Sequence, residues 1–130
     1  MIALRRGTAT VELACCLPVL LVLVMGAMEI ARALMVKQAL VESAYSGARQ
    51  IAGPDGTLAS ARSVCEERLR EQNIAPLAIE FSPAAAPSVP VGTSITVTVR
   101  ADCGDNAWAF RKFLVGRTIE ARATAVREGG

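Results

Sequence analysis

Glu12 is the residue whose type and place could do most. It stands at the head of an apolar stretch, Leu13 to Met28. A carboxylate costs about 2.5 to 3.5 kcal/mol at the centre of a lipid-embedded helix and less near an end. Glu12 therefore either reaches the headgroups at the membrane edge or meets a positive charge inside an assembly. A cut after Gly7 would supply such a charge, because Thr8 would then carry a new α-ammonium. The Glu12 of a neighbouring subunit set against that terminus would fix the axial register between copies, the best-attested use of a buried ion pair.

The four cysteines divide by position. Cys15 and Cys16 lie in the apolar stretch, where thiols act as small hydrophobes. Cys65 and Cys103 lie downstream, in a part of the chain that the topology below places in an oxidising compartment. They are either joined, which stabilises a small domain by about 3 to 4 kcal/mol, or two separate thiols. Asp102 and Asp105 flank Cys103-Gly104 but are too few oxygens for a cation loop. The chain has no histidine, so classical triads and zinc sites lack their usual parts. A hydrolase or redox enzyme would need an activated thiol at Cys65 or Cys103. The expectation is a non-enzymatic protein with no cofactor and no metal site.

The elements that position these residues begin with the apolar stretch. With Val11 it reaches the roughly 17 residues that a spanning helix needs. Arg5 and Arg6 precede it, and Glu29, Arg32 and Lys37 follow it, so the positive-inside bias puts the N-terminus in the cytoplasm and the rest outside. A net charge of +2 with scattered basic residues gives no nucleic-acid footprint. Ile30, Leu34, Val41, Tyr45, Ala48 and Ile51 continue a helical period past the membrane boundary. One helix from about Val11 to Ala52, on the order of 60 Å long, would then span lipid and project as an amphipathic stalk. Glu29 and Arg32 are spaced to pair at its exit, Pro18 favours a kink, and Gly53-Pro54-Asp55-Gly56 ends it. A cleaved secretory signal would use Ala31-Arg32-Ala33, but that site follows charged Glu29 inside a continuing helix. A lipoprotein cysteine at Cys16 would precede the apolar core instead of following it.

Leu58, Ala61, Cys65 and Leu69 mark one face of a second helix through about Gln72. The period then changes to two. Leu77, Ile79 and Phe81 predict a short strand, Ile95, Val97 and Val99 a stronger one, and Ile119, Ala121, Ala123 and Ala125 one face of a last strand over Arg117 to Val126. Ser82 to Pro90, with three prolines, is a loop. Trp108, Phe110 and Phe113 either close over the core or form an exposed contact patch for a neighbouring subunit or surface. The expected class is α+β: a long transmembrane and stalk helix, then a small domain of one helix and a three-stranded antiparallel sheet that buries its apolar face against one or both helices. The expected organisation is a basic leader over residues 1–7, the helix over 8–52 with its membrane span at about 11–28, and an extracytoplasmic domain over 53–130.

The run Arg6-Gly7-Thr8-Ala9-Thr10-Val11-Glu12-Leu13-Ala14, followed by Leu17-Pro18, closely resembles the N-terminus of the TadE-like proteins, pilin-like components of the tight-adherence (Flp) branch of type IV pili. Glu29-Ile30-Ala31-Arg32-Ala33-Leu34 and Ala44-Tyr45-Ser46-Gly47-Ala48-Arg49 resemble that family too. In type IV prepilins a membrane aspartyl peptidase cuts after a glycine, and the fifth residue of the mature chain is glutamate. The resemblance therefore implies cleavage between Gly7 and Thr8, with Arg5, Arg6 and Glu12 serving processing and assembly. Leu13 stands where Flp-type prepilins carry an aromatic residue. The partners implied are a prepilin peptidase, other pilin or pseudopilin subunits, the pilus assembly platform and membrane lipid. The implied location is the bacterial cytoplasmic membrane, crossed once, with incorporation into a surface pilus. The alternative is an uncleaved single-pass anchor presenting a periplasmic binding or scaffold domain.

Overall fold

The computed structural model describes residues 2–84 and 88–129, with side chains of the first helix described from Gly7 onward. Helix α1 (Ile2–Ala52) has 51 residues, about 77 Å at 1.5 Å rise per residue. It is long and apolar enough to cross a membrane. It stops at a Gly-Pro-Asp-Gly turn in which Gly56 N donates to Gly53 O at 3.1 Å. A Cβ on Gly56 would come within 2.5 Å of the Gln50 and Ile51 carbonyl oxygens, so this turn requires glycine.

The two halves of α1 have opposite environments. From Val11 to Met35 its large apolar side chains are exposed, whereas Val36, Ala39, Leu40, Ala44, Ala48 and Ile51 are buried in the head. The second half is therefore the central element of the core and not a projecting stalk. The face expected to bury is also only partly right: Ala48 and Ile51 are inside, but Ile30, Leu34, Val41 and Tyr45 are exposed. The buried stripe is the one carrying Ala39, Ala44 and Gly47, because small side chains let neighbouring elements come close. At Gly47 a Cβ would lie 2.3 Å from the Cys65 sulfur.

Helix α2 (Leu58–Glu71) starts with a capping box in which the Thr57 side chain and Ser60 satisfy each other's backbone N–H groups. It buries Ala61, Cys65 and Leu69 against α1. Asn73 takes a positive φ of 53° and Ile74 N returns to Leu69 O at 2.9 Å, which closes the helix end.

Strands β1 (Ala78–Ser82), β2 (Ser94–Asp102) and β3 (Thr118–Val126) form one antiparallel sheet in that order. The register sets Ile79 opposite Val99, and Val97 opposite both Phe81 and Ala123. Strand alternation puts Ile95, Val97, Val99 and Ala101 on the buried face, with Ile119, Ala121, Ala123 and Ala125 beside them. This is the α+β arrangement expected. The alanines of β3 and of α1 form a thin seam, and the larger Leu40, Ile51, Leu69, Ile95, Val97 and Val99 fill the centre. Each such burial contributes roughly 1.5 to 3 kcal/mol. Lys37 Nζ on α1 also donates to the Glu120 carbonyl of β3. On the outer face Arg100 joins Glu120 at 2.6 Å and Glu80 at 3.2 Å. Two short helices, α3 (Cys103–Asn106) and α4 (Arg111–Leu114), link β2 to β3.

Candidate functional site

The N-terminal end of α1 presents Gly7, Thr8 and Glu12 on one continuous helix, all exposed. The Arg5 and Arg6 side chains lie outside the described residues. Nothing lies within 4 Å of a Cβ built on Gly7, so the fold makes no steric demand for glycine there. Glu12 stands within unpacked Val11-to-Met28 surface, which leaves its carboxylate beside an exposed apolar face.

A second constellation lies where the apolar stretch ends. Glu29 is 9% exposed, and its two carboxylate oxygens accept the main-chain N–H of Trp108 and of Ala109, each at 3.1 Å. Arg32 Nε donates to Asn106 O at 3.2 Å, and its Nη2 donates to Asn73 O at 3.4 Å. The Asn106 side chain accepts from Ala75 N at 3.1 Å and donates to Asp102 O at 2.8 Å. The expected Glu29–Arg32 pair does not form among the described residues. Glu29 instead holds the main chain between α3 and α4, and Arg32 holds the end of α3, through part-buried, charge-assisted bonds stronger than an exposed pair would give, while the Arg32 bond to Asn73 beyond α2 is exposed.

Trp108 is 74% exposed and Phe113 81%, while Phe110 is half-buried, its ring centroid 6.4 Å from that of Phe113. The aromatics thus form a surface patch and do not close over the core. Sequence periodicity missed the anchoring of this patch by Glu29, because the partners are backbone groups some eighty residues away.

Cys65 and Cys103 are both free thiols, contrary to the bridge considered above. Cys65 packs at the level of Ser43 and Gly47, whereas Cys103 lines a cavity of about 50 Å³ with Ala33 and Val36. The two sulfurs sit at different heights along α1, which keeps them from bonding. Burial pushes the Cys65 thiol up from its ordinary value. Burial, and then the Asp102 charge, push Cys103 up as well. Neither is activated as a nucleophile. Asp102 spends its carboxylate on Gly104 N at 2.7 Å and Gly116 N at 3.1 Å, and Asp105 pairs with Arg111 at 3.2 Å, so the two acids cap and tie a turn. No cluster able to hold a metal is found among the described residues.

An α+β domain whose core includes the C-terminal half of a long, otherwise unpacked apolar N-terminal helix defines the architectural class. Residues 7–49, about a third of the chain and all within α1, match the family of TadE-like proteins. No curated protein and no solved structure matches the chain.

Proposed function

We propose that this chain is a membrane-anchored minor pilin or pseudopilin that takes part in assembling a tight-adherence pilus used for surface attachment. The observation that carries the reading is a single exposed stripe on α1. At 3.6 residues per turn, Glu12 and Ile30, Cys16 and Leu34, and Leu23 and Val41 are each separated by about five whole turns. Glu12 therefore shares its face with apolar residues inside the span and beyond it. Leu23, Ile30, Leu34, Val41 and Tyr45 are all exposed, on a flank of α1 that the head leaves uncovered as far as Tyr45; beyond it Ala48, about five turns from Ile30, is buried. A lone anchor needs no apolar stripe above the membrane, whereas a helix that moves from lipid into a bundle of like helices needs one along its length.

In this mechanism a prepilin peptidase removes the leader between Gly7 and Thr8, and the apolar helix holds the subunit in the cytoplasmic membrane with the head outside. Assembly transfers the stripe to neighbouring helices, and Glu12 meets the Thr8 α-ammonium of an adjacent copy to set register. Intact mass of the membrane-extracted protein tests the first step. Loss of residues 1–7 is the expected result. A retained leader overturns processing and favours an uncleaved anchor with a periplasmic scaffold domain.

A further inference from the structure

We propose that the segment from Ala107 to Val115 is a lipid-interface anchor that seats the head on the outer surface of the bilayer. The inference rests on the membrane-spanning reading of α1. From Val11 to Met28 the helix covers about 27 Å, close to the roughly 30 Å hydrocarbon thickness of a bilayer. Glu29 follows directly, so its carboxylate lies where the helix leaves the hydrocarbon. That carboxylate holds the main chain of Trp108 and Ala109, and Met28 and Trp108 line the same hollow. The segment is thereby tied to the helix at the level of the lipid boundary.

Its side chains suit that level. Trp108, Phe113 and Val115 are largely exposed to water in the isolated chain; Trp108 stands beside Met28 of the apolar helix, and Phe113 and Val115 follow within seven residues of it, Phe113 with its ring against that of Phe110. Tryptophan concentrates at headgroup depth because its apolar body and polar N–H edge are both satisfied there, and Phe113 and Val115 add apolar area. Lys112 is exposed among them and can meet lipid phosphates while its stem remains in the apolar layer, and Arg111, paired with Asp105 in an exposed bridge, lies beside it. The occupant is the lipid surface, because the patch is continuous with the surface that the bilayer already covers. Glu29 is compatible with this depth since its two oxygens are already bonded.

Trp108 is the only tryptophan, so its fluorescence reads this segment alone. The full chain is placed in phospholipid nanodiscs at one copy per disc. The expected result is blue-shifted emission, acrylamide quenching about two-fold or more weaker than for N-acetyltryptophanamide, as interfacial seating requires, and stronger quenching by lipids brominated near the headgroup than near the chain end. Emission of a hydrated indole, unquenched by either brominated lipid, overturns the proposal. Protection that arises only when several copies share a disc also overturns it and assigns the patch to a second copy. A Trp108→Phe, Leu21→Trp chain reports the span itself. Deep quenching of the Leu21→Trp indole beside a hydrated Trp108 removes only the interface anchor, whereas an unquenched indole there removes the membrane reading together with it.

Discussion

Ser43 and Cys65 hydrogen-bond each other's backbone: Ser43 Oγ donates to the Cys65 carbonyl at 3.1 Å, and Cys65 Sγ donates to the Ser43 carbonyl at 3.4 Å. Both side chains are fully buried. The exchange locks α2 onto α1 over Gly47, where a Cβ would sit 2.3 Å from the sulfur. Gly47→Ala should therefore lower stability by about 1 to 3 kcal/mol through overpacking, despite the roughly 1 kcal/mol that alanine gains in helix propensity. Cys65→Ala in the same chain should recover much of that loss. Thermal unfolding of the four chains in one detergent gives the coupling, and additive losses would show that the sulfur is not the obstacle.

Burial also fixes how Cys65 responds to pH. Its thiol is raised from an ordinary value of 9.0 in the folded protein, so the folded state holds the proton more tightly than the unfolded chain. The stability this contributes is fully present below the unfolded value and is lost as pH rises through the folded one. Unfolding midpoints should fall above about pH 9 in the native sequence, and the fall should be shallower in Cys65→Ala. Equal slopes for both proteins would assign the alkaline loss to other groups.

The parts of this fold legible in the sequence are those where one period has one answer. Ile95, Val97 and Val99 alternate cleanly and form the strand expected there, paired with β3, and Gly53 to Gly56 ends α1 where turn chemistry demands. The face of α1 was not legible, because a helix apolar nearly all round offers several stripes at spacings of three and four. Selection among them came from Ala39, Ala44 and Gly47, whose smallness matters only once α2 and the sheet are present. Glu29 and Arg32 were visible as a charged pair by spacing. Their bonds to Trp108, Ala109, Asn106 and Asn73 follow from where the chain returns, which local pattern does not encode.

Glu29→Gln keeps the shape of the clamp and removes half of its acceptors. One amide N–H of Trp108 or Ala109 should lose its partner at a cost of about 1 to 3 kcal/mol, and hydrogen exchange in a peptide spanning Ala107 to Phe110 should accelerate by roughly ten- to hundred-fold. Exchange in β2 should remain unchanged. Protection in the loop equal to that of the native protein would mean that Arg32 and Asn106 suffice to hold it.

Gly7 and Glu12 separate what the fold needs from what the proposed assembly needs. Open space around Gly7 means that Gly7→Leu should leave unfolding and membrane extraction unchanged, yet abolish removal of the leader in cells that carry a prepilin peptidase. Glu12→Leu should likewise insert as well as the native chain or better, since it deletes a charge that costs up to about 3 kcal/mol in lipid. Its expected defect lies later, as a fall in the fraction recovered with sheared surface filaments. Should Glu12→Leu enter filaments at the native level, the pairing of Glu12 with the Thr8 terminus would have no part in register. The exposed stripe through Leu23, Ile30 and Val41 would then have to set it by shape alone.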